Sequence, residues 1–421
     1  MTGVFSLLPG GRHGLLTPPP GSGAGSSSNE DSSRYLAVGG YAPVPAPARL
    51  LERIGTVGLR GRGGAGFPAA VKLRAVRDAP GTPVVVANGE EGEPGSVKDR
   101  WLLRHRPHLV LDGLRLAAAM TGAERGWVYL SDASAEQAVQ RALTERPPDL
   151  RVDVVRTPHS YVAGEETAVV RRIDGGPALP TAKPPRPFER GVGGAPTLVA
   201  NVETLARIAV LHSRPEAAAA VAGTHLVTLS GTGGQGALVE APAGTRLEIL
   251  ADSCGHGNAG AVLLGGLFGG LHGAGWRDLV LGQDRLAAAG GALGCGALYF
   301  LRPADCPVSV ATEAAAYLTA QSARQCGVCV SGTGALAGAL SALAQGGAAP
   351  DTPDKLLRWS RQLPGRGACG LLDAAARIVA GLLTHFPDRV DDHRDSGCPG
   401  CHDATTGGAA GDGRRFLVAV P

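Results

Sequence analysis

Between Val84 and Val155, short apolar runs of strand length alternate with longer helical patterns. Val84–Val86, Trp127–Leu130 and Val152–Val155 read as buried strands, and Leu109–Met120 and Ala133–Thr144 as the helices between them. A strand followed by a helix returns to its sheet in the same direction, so this order predicts an α/β fold: a mostly parallel sheet covered by helices. Asn201 then caps an apolar helix over Val202–His212. Upstream, helical patterns at Ala48–Ile54 and Val71–Val76 flank a glycine-rich run, Gly58–Gly66.

The texture changes twice further on. From Thr224 to Leu301 short strand-like pieces are separated by glycine-rich turns, which predicts a small α+β domain. Past Pro303, helical patterns at Ala311–Ala323, Ala335–Gln345, Lys355–Gln362 and Leu371–Phe386 predict a C-terminal helical bundle. Residues 1–33 are rich in Gly, Pro and Ser without periodicity and are expected to form a disordered tail. A chain of 421 residues fits two to four domains.

A net charge of +3 with both signs interspersed argues against nucleic acid as a partner. No secretory signal and no run of about 18 uninterrupted apolar residues is read, which predicts a cytoplasmic chain without direct membrane insertion, peripheral at the inner face of a membrane at most. In that setting the eight cysteines, clustered towards the C-terminus with two C-x-x-C spacings, favour metal or redox chemistry over disulfides.

Four motifs carry chemistry. The run Gly58-Leu-Arg-Gly-Arg-Gly-Gly-Ala-Gly-Phe-Pro68, followed by Lys72, offers backbone N–H groups and charge to a phosphate. It contains G-x-G-x-x-G, but a helix precedes it where a dinucleotide fingerprint needs a strand. Asn88-Gly-Glu-Glu-Gly-Glu-Pro-Gly-Ser96 sits at a strand end, where open α/β sheets bind ligands. Its carboxylates would repel phosphate and suit the O–H and N–H donors of ribityl, ribose or carboxamide groups. Tyr161-Val-Ala-Gly-Glu-Glu-Thr167 repeats the theme, and Pro196-Thr-Leu-Val-Ala-Asn-Val-Glu-Thr204 opens a helix N-terminus suited to phosphate or a flavin carbonyl. Each alone is weak: a basic linker, an acidic turn and an ordinary helix cap look the same.

In this order, with YLAVGGY before them, KPP after Ala182 and LVTLSG in the middle region, the motifs resemble the NADH-binding flavoprotein subunit of respiratory complex I, the NADH-quinone oxidoreductase. Similar modules occur in NAD-reducing hydrogenases and formate dehydrogenases, and the likeness runs from about Tyr35 to His393. The resemblance implies a Rossmann-like FMN/NAD(P)H-binding domain over 34–222, a ubiquitin-like (SLBB type) domain over 223–303, a helical iron–sulfur domain over 304–394 and a C-terminal tail, 395–421. FMN would meet Gly61, Arg62, Gly63, Gly64 and Lys72 at its phosphate, Asn88, Glu90 and Glu91 at the first acidic site, Gly164, Glu165 and Glu166 at the second, and Val199, Asn201 and Thr204 at the last. NAD(P)H would lie near Phe67, Lys72, Glu93, Tyr161 and Glu166. No general acid or base is needed, since the flavin does the chemistry.

The chain departs from the family at named positions. Ala75 and Arg186 stand where aromatics usually sandwich the adenine, which implies weaker NADH binding or a changed nucleotide. The family's C-G-x-C-x-P-C plus one distant cysteine reads here Cys326-Gly-Val-Cys329-Val-Ser-Gly332, with Cys369 as the distant one. Three [4Fe–4S] ligands remain, with Cys398 or Cys401 as the candidate fourth. The C-x-x-C pairs also match a zinc pattern, and the cluster's absence is a third alternative. Cys254, Cys295 and Cys306 match no ligand position and read as small buried residues.

The implied function is hydride transfer from NADH to FMN, then single electrons through the cluster to an iron–sulfur or membrane acceptor: a quinone-linked complex, a ferredoxin or a reductase. The alternatives are a divergent flavin- or nucleotide-binding protein that has lost the relay, and a zinc-binding docking subunit.

Overall fold

The expected parallel sheet is present and has four strands. The computed structural model of the chain describes residues 3–8, 14–16, 30–232, 236–396, 398, 401 and 412–421. After a short strand β1 (Gly3–Ser6) and helix α1 (Ser32–Ala37), helices α2 (Pro47–Thr56) and α3 (Ala69–Arg77) lead into β2 (Val84–Asn88). Then follow α4 (Lys98–His105), α5 (Pro107–Thr121), β3 (Arg125–Leu130), α6 (Ala133–Glu145), β4 (Arg151–Arg156), α7 (Glu166–Ile173), β5 (Thr197–Asn201) and α8 (Val202–Ser213). The strand order is β4-β3-β2-β5, all parallel. The chain grows from β2 outward to β4, then returns to lay β5 on the other side of β2. That reversal opens a crevice beyond the carboxyl ends of β2 and β5, the position at which doubly wound sheets bind ligands.

The helices are held by close approach as well as by area. α5 is buried almost all round, and a side chain at Gly113 would collide with the Leu205 carbonyl of α8. Only glycine lets the two backbones cross there. α4 has no counterpart among the expected elements, because Lys98, Asp99, Arg100 and Arg104 break its apolar period; buried ion pairs hold it instead.

The middle region carries α9 (Ala218–Ala222), β6 (Thr224–Gly231), β7 (Ala237–Pro242), α10 (Leu247–Ser253), β8 (Ala261–Leu264), β9 (Leu271–His272), α11 (Gln283–Ala288) and β10 (Ala297–Leu301). They form a mixed six-stranded sheet, β1-β7-β6-β10-β8-β9. Part of the stretch expected as a tail therefore requires correction. Gly3–Ser6 pairs in parallel with Ala237–Glu240, completing the edge of β7 with backbone hydrogen bonds that need no side-chain periodicity. Leu15 and Leu16 are buried, and Glu30 pairs with Arg106 at 2.6 Å. Residues 9–13 and 17–29 lie outside the described residues.

Among the described residues the C-terminal bundle has five helices: α12 (Pro307–Ala320), α13 (Gly327–Ala344), α14 (Thr352–Gln362), α15 (Leu371–His385) and α16 (Pro387–Asp395). α13 has 18 residues and is the one helix among those described long and apolar enough by composition to cross a membrane; here it packs on α12 and α15. Beyond residue 411 the chain is again placed: Phe416 is buried against Tyr299, and the Val418 N–H donates to the Pro94 carbonyl at 3.2 Å.

Candidate functional site

The glycine-rich loop is pinched at its base. The Ala69 N–H donates to the Leu59 carbonyl at 2.9 Å and the Gly61 N–H to the Phe67 carbonyl at 2.8 Å, so Arg62–Gly66 project as a loop between α2 and α3. Gly64 and Gly66 take φ of 110° and 62°, a conformation that favours glycine. Gly63 packs against Asn201, where an added Cβ would stand 3.3 Å from the asparagine's own. The Arg62 N–H donates to Thr204 Oγ1 at 2.9 Å, which ties the loop to α8. The Arg62 side chain turns inward, donating to the Ala222 carbonyl at 2.8 Å and meeting His225. Burial, then the neighbouring Arg207, lowers its pKa to about 10, and burial beside Arg62 and Arg207 lowers His225 to about 3, keeping the imidazole neutral. A cavity of about 290 Å³ opens between this loop and the middle region, lined by Gly61, Arg62, Gly66, His225, Gly294 and Cys295 among others.

Asn88 and Asn201 end β2 and β5 at the crevice. Asn88 Nδ2 donates to the Gly164 carbonyl at 2.8 Å, which draws the second acidic motif onto the first. A Cβ on Gly164 would stand 2.8 Å from the Glu90 carbonyl. Asn201 caps α8 by accepting the Glu203 N–H at 3.0 Å, and its Nδ2 donates to Asp99 at 2.6 Å. Val199 is buried within β5.

The carboxylates divide by role. Glu91 accepts from Ser96 Oγ, the Asp99 and Arg100 N–H groups and Arg100 Nε, so it braces the start of α4. Glu165 caps α7, accepting the Thr167 N–H at 2.8 Å, and takes Lys183 at 2.7 Å. Glu166 binds Lys72 and Lys183, each at 3.0 Å; burial would raise its pKa, but the two lysines outweigh that and lower it. Glu90 accepts His159 Nδ1 at 3.1 Å through Oε1, while its Oε2 is buried without a partner. Glu93 accepts the Leu267 N–H at 3.0 Å through Oε2, and its Oε1 is likewise unpartnered. Burial raises Glu93 to about 7. Tyr161 donates its N–H to Gln321 at 3.0 Å and packs edge-on to Tyr317; Phe67 is 51% exposed at the rim.

A buried acceptor left unmade costs about 1–3 kcal/mol. Three of the four orphaned buried side-chain atoms among the described residues belong to Arg62, Glu90 and Glu93. Two of the three are acceptors, so the crevice suits a ligand bringing N–H and O–H donors. A flavin with its ribityl chain has them, and the projecting glycine loop suits its phosphate.

Sequence reasoning missed what lies beneath. Lys98 Nζ contacts Asp99 at 2.7 Å and Glu203 at 3.2 Å, and Glu203 also holds Arg207 at 2.7 Å, with Arg207 and Glu240 3.8 Å apart. Burial acts to raise Glu203, yet Lys98, Arg207 and Arg62 hold it at about 2. Burial dominates at Asp99 and pushes it to about 7. The Glu203–Arg207 spacing of i, i+4 was the legible signal.

The cysteines form two groups. Cys326 is the N-cap residue of α13, Cys329 lies in its first turn and Cys369 precedes α15. Burial, then the charges of Cys329, Glu165 and Cys326, raises the Cys369 thiol, and all three cysteines pack into the core of the bundle. Gly332, one turn past Cys329, is buried; a Cβ there would stand 3.0 Å from Leu372 and 3.2 Å from Leu363. Leucines fill the space of the family's third thiolate. Cys398 and Cys401 join Cys306 and His393 instead. Cys306 precedes α12, whereas Cys326 follows its end; 14 residues at 1.5 Å each separate the groups by about 20 Å. The fourth cluster ligand sought in Cys398 or Cys401 is thus at the wrong end of α12, and Cys306, read as a small buried residue, has polar company. Nothing in the sequence distinguished the pairing of Cys306 with a distant tail.

Comparison with known proteins follows the same division. Residues 54–210 match the family model of the Nuo51 FMN-binding domain, and 309–393 that of the NADH-ubiquinone oxidoreductase-F iron–sulfur binding region. The NADH-quinone oxidoreductase F subunit of Rickettsia akari (strain Hartford) is 30% identical over 371 residues, covering 82% of this chain and 88% of the relative. The second such F subunit of Rhizobium meliloti (strain 1021) is 30% identical over 387 residues, covering 84% and 92%. An NAD+-reducing [NiFe]-hydrogenase in its air-oxidized state superposes with a TM-score of 0.78 at 26% identity, covering 96% of this chain and 71% of that one.

Proposed function

The chain belongs to the family of NADH-quinone oxidoreductase F subunits, and from that membership we propose that it oxidises NADH at a flavin in the β2–β5 crevice and passes electrons through an iron–sulfur centre to a partner subunit. Bound FMN would supply the conversion of a two-electron hydride into single electrons. The chain's own residues bind, orient and exclude water. With the Gly61 N–H spent on the Phe67 carbonyl, the amides of Gly63 and Gly64 would meet the phosphate, with Lys72 adding charge. Asn88, Asn201 and Thr204 fix the crevice wall, and the free oxygens of Glu90 and Glu93 accept from the ligand's donors. Phe67, Tyr161, Lys72 and Glu166 border the nucleotide's approach.

Cys326, Cys329 and Cys369 would hold the iron–sulfur centre, which would supply single-electron transfer. We set the domain limits at 222/223 and 303/304. The acceptor is an iron–sulfur or membrane-bound protein, with this chain docked peripherally at the cytoplasmic face.

The Glu90 oxygen that follows the end of β2 carries this reading, since among the described residues it is a buried acceptor without a partner, which a ligand's donor would satisfy. Rapid anaerobic mixing of the FMN- and iron-reconstituted chain with NADH tests it: the yellow flavin band bleaches first and the broad iron–sulfur band follows. Failure of both NADH and NADPH to bleach the flavin overturns it.

A further inference from the structure

Away from the flavin crevice, Cys306, His393, Cys398 and Cys401 bring four ligand atoms within 4.8 Å of one another. We propose that these residues bind a single tetrahedral zinc ion, a structural site separate from the iron–sulfur ligands.

The spacing selects one ion over a cluster. Cys401 Sγ lies 3.5 Å from Cys306 Sγ and 3.3 Å from His393 Nε2, and Cys306 Sγ lies 3.5 Å from the same nitrogen. Zinc bonds of about 2.3 Å to sulfur and about 2.0 Å to nitrogen place tetrahedral ligand atoms roughly 3.4–3.8 Å apart. An iron–sulfur cube gives each thiolate its own iron, which spreads the sulfurs well beyond the span seen here. At 3.5 Å the two sulfurs are also not joined as a disulfide, whose bond is about 2 Å.

The histidine is prepared for this role. His393 Nδ1 bonds the Arg389 carbonyl at 2.6 Å, so Nδ1 carries the proton and Nε2 presents its lone pair to the sulfurs. Such an outer hydrogen bond accompanies histidine ligands of metals generally. His393 and Cys401 are buried, and four protein ligands leave no open position, as in structural rather than catalytic zinc sites. Zinc does not change valence, so no electron passes through it.

The site's position gives it a task. It fastens the chain beyond α16 to the start of α12. The tail then returns with Phe416 against Tyr299 and Val418 bonded to the Pro94 carbonyl, the residue next to Glu93. The ion thereby holds the chain at Cys401, ahead of the segment that lies on the acidic loop of the flavin site.

Metal analysis and zinc-edge X-ray absorption of the purified full-length chain test the proposal. The expected result is about one zinc per chain, in addition to iron, in a shell of three sulfurs and one nitrogen. Cys401→Ser is expected to lower zinc at least about tenfold with iron unchanged. Zinc absent from the unaltered chain, zinc retained in C401S, a loss of iron in its place, or a Cys306–Cys401 disulfide overturns it. Should C401S fail to fold, the unaltered chain's absorption shell decides: any set other than three sulfurs and one nitrogen refutes the site.

Discussion

Asn88 and Asn201 are register partners across the β2–β5 seam, the last paired residues of two parallel strands whose sequence order reverses between them. One amide fixes the second acidic motif through Gly164; the other caps α8 and engages Asp99. Motifs 113 positions apart in the chain, 88 and 201, meet because the sheet brings them to one edge.

Glu203 neutralises Lys98, Arg207 and Arg62 beneath that edge. Glu203→Gln leaves buried cations uncompensated and is expected to cost about 3–5 kcal/mol, read as a fall in denaturation midpoint of the flavin-free chain. A loss under about 1 kcal/mol, the scale of exposed pairs, contradicts the network's role.

Glu93 makes the crevice sensitive to pH. Its folded pKa of about 7 stands above the ordinary 4.5 because it is buried, so its contribution is complete below about pH 4.5 and is lost as pH climbs through 7. The upper limit is about 3 kcal/mol for a shift of this size. Asp99, also raised to about 7, acts in the same direction. Stability curves of the flavin-free chain and Glu93→Gln should therefore diverge between pH 5 and 8, with the variant losing less. Parallel curves refute the assignment.

Restoring the family's cysteine at Gly332 does not supply a fourth thiolate to the cluster. Leu363 and Leu372 occupy the space, and Gly332→Cys is expected to destabilise by about 1–3 kcal/mol through overpacking, without a gain in iron per chain. Iron analysis beside a thermal melt checks both halves.

Ala75, half-buried on α3, replaces an aromatic. Ala75→Phe is expected to tighten NADH about tenfold, the equivalent of 1–2 kcal/mol of ring stacking. The half-saturating NADH concentration for flavin bleaching measures it, and an unchanged value argues that adenine binds elsewhere.

The parallel sheet was legible because Val84–Val86 and Val152–Val155 have strand length and lie between helical periods. The crevice was legible because its glycines and asparagines occur as contiguous motifs. α4 was hidden because Lys98 and Asp99 look like a solvated face until Glu203, over a hundred residues later, is placed against them. β1 was hidden because an edge strand is specified by its neighbour's free backbone groups, not its own pattern. The Cys306–His393–Cys401 group was hidden for a related reason: the bundle alone brings the start of α12 to the tail.

Equilibrium titration of the flavin-free chain with FMN, followed by quenching of flavin fluorescence, reaches the central claim most directly. The account predicts about one FMN per chain, with binding abolished in Gly63→Val, whose branched side chain would drive the loop off Asn201. No binding by the unaltered chain, or equal binding by the variant, would contradict a flavin held between that loop and the ends of β2 and β5.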